Sequence, residues 1–292
     1  MKLVSCIPKL HIWANQLLFL AVSPIPYREH DIVSDKLMVS IQGSITVTLD
    51  SGKKITTHSF LVKAGTTFDK HYIDATKATM AIYYLAPVTQ DYSALESVML
   101  KARDGLHYNH PQEELLTQQL LRIRNESLPP EQAYILLRDF IVQPKLQNII
   151  FKEFDPRIIA VIQRIRETVS ENLSVNAFAE SVYLSESRLE KLFKEQIGVP
   201  IRKYRLRYRV FIGTIQLALG RSVTDAALAA GFASSAHFSK SFSAINGIPP
   251  STTFLKPPFL EVLIADEVLE AIYSKTRRNE SKKNTTVHSF SK

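Results

Sequence analysis

The stretch "GFASSAHFSKSFSAINGIPP", residues 231–250, frames a short helix tightly. A glycine and an aromatic open it, Phe238 and Phe242 follow at helical spacing, and Gly247, Pro249 and Pro250 close it. The residues between are small, polar or basic: Ser235, Ala236, His237, Ser239 and Lys240. One reading is an ordinary packed surface helix, the other a helix shaped to lie in a groove.

A second copy of the pattern decides between them. Val175, Phe178, Ala179 and Val182 are spaced i, i+3, i+4, i+7, and Val223, Ala226, Ala227 and Ala230 repeat that spacing 48 residues later. Past the following turn the offset becomes 49, so that Leu189 matches Phe238, Phe193 matches Phe242, Gly198 matches Gly247 and Pro200 matches Pro249. Each copy reads as helix, tight turn, helix and glycine stop. Asn176 and Thr224 suit the start of the first helix in each copy, Ser185 and Ser234 suit the N-cap of the second, and Gly231 suits a left-handed turn. This is helix-turn-helix spacing, in which the second helix enters a DNA major groove. Between the copies lies "RKYRLRYRV" (202–210), whose guanidinium groups suit phosphate contacts.

Charge follows the same division. Residues 1–155 hold 16 Lys+Arg against 16 Asp+Glu, residues 156–256 hold 14 against 7, and residues 257–292 hold 6 against 5. Only the middle segment is strongly basic, so it is the part that meets a polyanion. A length of 292 residues accommodates two domains, and 45% hydrophobic with 22% charged residues marks a soluble globular chain. The single cysteine, Cys6, excludes an intrachain disulfide framework and a cysteine-rich zinc site. The apolar run "LHIWANQLLFLAV" (10–22) is too short and too polar for a membrane span, and it reads as a buried strand or helix rather than a cleaved signal.

Short runs rich in Val, Ile, Thr and aromatics fill the first hundred residues: 36–41, 44–49, 54–62 and 78–86. They are separated by turn signals at Gln42-Gly43, Asp50-Ser51-Gly52 and Ala64-Gly65. Antiparallel strands in succession imply a sandwich or a small barrel. Two amphipathic helices follow, over 111–125 and 129–145, the second started by Pro130. They cover the sheet or supply a homodimer interface within 111–143. Residues 151–157 read as a linker, 259–273 as an added helix and 275–292 as a solvated tail.

From 157 to 254 the sequence resembles the DNA-binding domain of the AraC/XylS family of bacterial transcription regulators. The resemblance is carried by "LSVNAFAESVYLSESRLEKLFKEQIGVPIRKYRLRYR" (173–209) and "SVTDAALAAGFASSAHFSKSFSAINGIPPSTTF" (222–254). Ala236, Ser243 and Thr253-Phe254 depart from the family pattern, where serine, lysine and Tyr-Arg are common. The resemblance implies an α+β chain: a cupin-like β-barrel sensor over 1–110, helices for dimerisation over 111–152, tandem helix-turn-helix units over 153–256, and an extension over 257–292. It implies base reading by Ser187, Glu190 and Lys191, with Ser235, Ala236, His237, Ser239 and Lys240 facing the groove in the second unit. Arg188, Lys194, Arg202, Lys203, Arg205 and Arg207 are the candidates for phosphate contacts. The partners implied are promoter DNA, RNA polymerase and a small-molecule effector, in the bacterial cytoplasm, with activation the commoner outcome. Tyr27, His30, Phe68, His71 and Tyr83 are candidates to line the effector site, as aromatic and polar residues of the strand-rich half.

Enzymatic readings find no support. Cupin enzymes group their metal ligands, whereas His58 and His71 stand alone in the sequence, and no nucleophile elbow, phosphate-cradling loop or HExxH motif occurs. The expectation is a non-enzymatic protein with no metal and no cofactor. The rival reading is a sensor that works through a partner protein, its DNA-binding units degenerate, motivated by the sparse basic charge of the second unit.

Overall fold

The computed structural model describes residues 7–24, 32–49, 51–66, 73–103, 105–141, 152–254 and 260–272. The N-terminal half is built on two sheets. Strands β1 (Lys9–Trp13), β2 (Gln16–Leu20), β3 (Lys36–Gln42), β4 (Ile45–Thr48), β5 (Lys54–Thr57), β6 (Ser59–Val62), β7 (Ile73–Asp74) and β8 (Thr79–Tyr84) come first. Helix α1 (Asp91–Val98), strands β9 (Lys101–Arg103) and β10 (Leu106–Tyr108), and helices α2 (Glu113–Glu126) and α3 (Pro130–Ile141) complete it. The large sheet has the order β11-β1-β2-β8-β3-β6-β10-β9 and the small one β5-β4-β7, where β11 is a C-terminal strand, Glu261–Ile264.

The run at 10–22 is a hairpin. Ala14-Asn15 turns the chain, with Asn15 left-handed at φ 67°, a conformation asparagine tolerates. The run 54–62 is two strands rather than one, because the chain changes sheets at His58: β5 pairs with β4, and β6 with β3 and β10. At that corner the Thr57 hydroxyl donates to the Ser59 carbonyl at 2.8 Å. Such corners let a strand serve two packed sheets.

Helices α1, α2 and α3 pack on the large sheet through apolar and polar contacts. Leu116, Leu120, Ile123, Ala133 and Leu137 are buried in the core of the N-terminal half. Trp13 Nε1 donates to the Pro130 carbonyl at 2.7 Å. Tyr83 Oη donates to Gln16 Oε1 at 2.9 Å, Gln16 Nε2 donates to Asp91 Oδ2 at 2.9 Å, and Arg138 pairs with the other Asp91 oxygen. Asp91 is only 2% exposed, so its charge is balanced inside the structure rather than by water.

The C-terminal half is helical: α4 (Pro156–Glu167), α5 (Val175–Glu180), α6 (Glu186–Ile197), α7 (Ile201–Ala218), α8 (Val223–Ala229), α9 (Ser235–Asn246) and α10 (Pro250–Phe254). Helix α4 starts where sequence chemistry dictates, with Asp155 accepting from the Arg157 N–H and Pro156 at the first helical position. Two small cores result, one per unit, and α7 contributes to both (Tyr204 and Tyr208 to the first, Val210 and Leu217 to the second). Its Ile215 enters the core of the N-terminal half, with Phe211, Ile212, Ala218 and Leu219 packed against it. The connecting helix is therefore seated on the N-terminal half as well as between the units.

The segment expected as an added helix begins as β11, paired in parallel with β1, and turns helical only over 266–272. Val262, Leu263 and Ile264 favour a strand, and the outer edge of β1 offers the backbone partners.

Candidate nucleic-acid interface

The first unit is α5, a turn and α6; the second is α8, a turn and α9. Each of the four helices is capped by a serine. Ser174 accepts from the Ala177 N–H at 3.1 Å, Ser185 from Arg188 at 3.3 Å, Ser222 from Asp225 at 3.1 Å and Ser234 from His237 at 3.2 Å. The caps expected of Ser185 and Ser234 are in place. Those of the first helices are Ser174 and Ser222, ahead of Asn176 and Thr224, which lie inside the helices. The Ser222-x-x-Asp225 spacing, a capping-box pattern, is the sequence signal that marks the second of these.

The turns are equivalent bond for bond. Leu184 N–H donates to the Ala179 carbonyl at 3.0 Å, and Phe232 N–H, 48 residues on, to the Ala227 carbonyl at 2.9 Å. Both turns need a left-handed residue, Gly231 at φ 79° and Tyr183 at φ 57°. A Cβ on Gly231 would lie 2.7 Å from the Val169 carbonyl oxygen, so glycine is required there twice over. Tyr183 instead carries a bulky side chain that is 98% exposed and strains its own backbone. Tyr183→Gly is expected to stabilise the protein by about 1 kcal/mol, measured as a higher midpoint in urea unfolding. A lower midpoint would show that the exposed ring contributes to the folded state.

With the helices fixed, the faces follow. Leu189, Leu192 and Phe193 of α6 are buried, while Ser187, Arg188, Glu190 and Lys191 are exposed. On α9, Phe238, Phe242 and Ile245 are buried, Ala236, His237 and Lys240 are exposed, and Ser235 and Ser239 are half-buried. Phe232 packs edge-on against His237, ring centroids 5.2 Å apart. The α6 face carries donors and acceptors of both charges; that of α9 carries one ammonium, an imidazole and hydroxyls.

The arginines between the units divide three ways. Arg188, Lys194, Arg202 and Lys203 are exposed, Arg202 lying 3.8 Å from Glu186. Arg205 is not turned outward as expected of a phosphate contact. It donates to the Leu173 and Glu171 carbonyls and lies over the Phe178 ring. Arg209 joins it on the same loop, donating to the Val169 and Glu171 carbonyls at 3.0 and 2.9 Å. Together they satisfy carbonyls that the end of α4 and the following loop leave open. Arg207 points at the N-terminal half instead, its Nη2 donating to the Leu85 carbonyl at 3.4 Å beside Asp35. Burial lowers the Arg207 pKa, against the opposing influence of Tyr204 and Asp35. Burial likewise raises that of Asp35, opposed by the Ala64 N–H and by Arg207, Lys63 and Lys152.

That junction is close. A Cβ on Gly198, the residue that ends α6, would lie 2.2 Å from the Ala64 carbonyl oxygen, and one on Gly65 would lie 2.1 Å from the Gly198 carbonyl oxygen. The loop at Ala64-Gly65 thus touches the first unit backbone to backbone. Against the second unit lies a small apolar crevice, lined by Leu17, Phe19, Ile82 and Tyr84 of the sheet and by Phe242 and Phe254. Of the effector candidates, Tyr83 is buried in the polar network with Gln16. Tyr27, His30, Phe68 and His71 lie outside the described residues.

A helix-turn-helix domain family matches residues 178–256. No curated protein matches the chain. Among solved structures, a lysine-to-alanine variant of apo ToxT from Vibrio cholerae strain SCE256 shares 14% identity at a TM-score of 0.53, covering 83% of this chain and 97% of its own. ToxT from Vibrio cholerae O395 shares 15% at 0.52, covering 84% and 95%. At these identities the likeness is one of fold, across both halves. An AraC-type DNA-binding domain-containing regulator from Chromobacterium violaceum shares 30% identity over 33% of this chain and 88% of its own, with a TM-score of 0.32. With two serine-capped units whose outward faces are polar and whose inward faces are apolar, the chain carries over residues 178–256 the helix-turn-helix domain of an AraC-type DNA-binding transcription regulator.

Proposed function

We propose that the protein reads a bipartite promoter site in the bacterial cytoplasm. The outward faces of α6 and α9 enter successive major grooves, and an effector bound by the sensor half governs the outcome. The observation that carries this reading is the pair of equivalent units, each presenting its second helix with a polar face outward. Ser187, Glu190 and Lys191 read bases in the first unit: lysine donates to guanine O6 and N7, and glutamate accepts from a cytosine amino group. Ser235, Ala236, His237, Ser239 and Lys240 form the second reader, the alanine methyl meeting a thymine methyl. Arg188, Lys194, Arg202 and Lys203 fix register through phosphates. Activation through RNA polymerase is the outcome we assign, with dimerisation through α2 and α3.

For the effector, the apolar crevice between the β1–β2–β8 face and the second unit offers the fitting chemistry: an apolar body held between two domains. ToxT from Vibrio cholerae O395, similar in fold at 14% identity and a TM-score of 0.51, has been solved bound to (E)-4-(8-methylnaphthalen-1-yl)but-3-enoic acid, an apolar body with one carboxylate. Tyr83 shapes this region from behind, through its bond to Gln16, rather than by contact with the crevice.

Lys191→Ala tests the base-reading assignment. Its loss is expected to weaken binding by about 1–3 kcal/mol and to relax preference at one base pair, read by competition binding against all four bases at each position. Weaker binding with unchanged sequence preference would remove Lys191 from the readers and leave it a phosphate contact.

A further inference from the structure

The C-terminal segment returns from the second unit to the sensor. Glu261 N–H donates to the Pro8 carbonyl and Ala265 N–H to the Ile12 carbonyl, both at 2.9 Å, so β11 completes the edge of the sensor sheet. Lys9 pairs with Glu261 at 3.3 Å, and the Ala14 N–H donates to Glu267 Oε1 at 3.2 Å. Ala265 and Val268 are buried in the sensor core. The DNA-binding half is thus attached to the sensor at both ends, through the chain before α4 and through β11 after α10. Between these attachments α7 is seated on the sensor through Arg207, Phe211 and Ile215, and the end of α6 is seated on Ala64 and Gly65.

The two attachments differ in kind. The one before α4 is covalent, whereas the one after α10 is a four-residue parallel edge strand whose residues are all half-exposed. Parallel pairing is slightly less stable per residue than antiparallel, and an edge strand is held on one side only. We propose that residues 260–272 are a releasable latch, which holds both helix-turn-helix units in the one arrangement the sensor imposes and restrains their fit to DNA. Geometry gives the direction of the effect. With β11 paired, the DNA-binding half is held at the end of α6 by Ala64 and Gly65, along α7 through Arg207, Phe211 and Ile215, and after α10 through β1. Units pinned at all of these points lose freedom to adjust to a duplex, and release of β11 restores part of it.

This inference rests on the DNA-binding reading above, and the test separates the two. A full-length protein carrying Leu10→Cys, Val262→Cys and Cys6→Ser has cysteines only at the paired positions Leu10 and Val262. It can be closed by oxidation and reopened by reductant. Binding to duplex DNA enriched by the wild-type chain is then compared for the two redox forms of this one protein. The oxidised form is expected to bind at least about five-fold more weakly, with full recovery on reduction. Glu261→Pro with Ala265→Pro, which removes the donors at the two ends of the pairing, is expected to bind more tightly than wild type. Equal affinity of the oxidised and reduced forms would overturn the latch, whatever the proline variant does. Failure of the wild-type chain to enrich any DNA would instead overturn the reading beneath it.

Discussion

Phe238→Ala is expected to destabilise the second helix-turn-helix unit by about 3–5 kcal/mol and to abolish recognition of its half of the site. Phe238 is fully buried, and its ring lies against Phe232 and Phe242, with centroids 5.3 and 5.9 Å away. This unit has a small core, made largely of alanines and these three phenylalanines, so little can move in to fill a cavity. The reciprocal change attacks the same contact from the other side. Gly213, in α7, faces the ring so closely that a Cβ there would lie 2.4 Å from Phe238 Cε2. Gly213→Val should therefore expel the ring and reproduce the loss of second-half recognition. Urea unfolding together with DNA binding to separated half-sites checks both. Retention of second-half recognition in Phe238→Ala would mean that α9 is positioned by something other than its aromatic face.

Acidification should destabilise the N-terminal half through His11. The side chain is fully buried, neither ring nitrogen has a hydrogen-bond partner among the described residues, and the ring stacks on Trp13 at 5.7 Å. Burial, reinforced by Lys9, pushes its pKa down from 6.5 to about 4. The folded state holds the imidazole neutral, whereas the unfolded chain takes up a proton below pH 6.5. The contribution is fully present above that value and is lost as the pH falls toward about 4. The loss amounts to about 3 kcal/mol, at 1.36 kcal/mol per pH unit. His110, lowered in the same direction by burial and opposed by Glu113, adds to the slope. His11→Leu should flatten most of it, measured as unfolding free energy at a series of pH values. An unchanged slope in that variant would assign the acid sensitivity elsewhere.

The tandem units were legible because repetition exposes them twice. The buried positions, the glycine stops and the second-helix caps recur at 48 and 49 residues. The direction of the arginines was not legible. Composition marks 202–210 as basic, but Arg205 and Arg207 differ from Arg202 only in where α7 points them, and α7 touches three cores at once. A guanidinium that caps a loop and one that meets a phosphate look identical in sequence. Strand β11 was missed for a related reason. Four residues with no alternation resemble the start of a helix, and the partner that makes them a strand is β1, at the far end of the chain. Tyr83 shows the same limit in the N-terminal half, since the network it enters through Gln16, with Asp91 and Arg138, is drawn from three separate elements.

The departures of the second unit from its family pattern bear on function directly. On the exposed face of α9, Lys240 is the fixed charge, whereas α6 presents Arg188, Glu190 and Lys191. On the proposed reading, the first unit supplies most of the electrostatic grip, and the second adds recognition through small residues whose discrimination depends on close fit. On this account, raising salt should cost affinity mainly through the first unit and the exposed start of α7.

Selection of duplex DNA from a random library by the full-length chain, at two salt concentrations, tests the central claim most directly. The account predicts a bipartite site with two conserved segments about one helical turn apart, bound with a log–log salt slope near −0.9 per neutralised phosphate. No enrichment at either salt would contradict it and leave a sensor that acts through a partner protein.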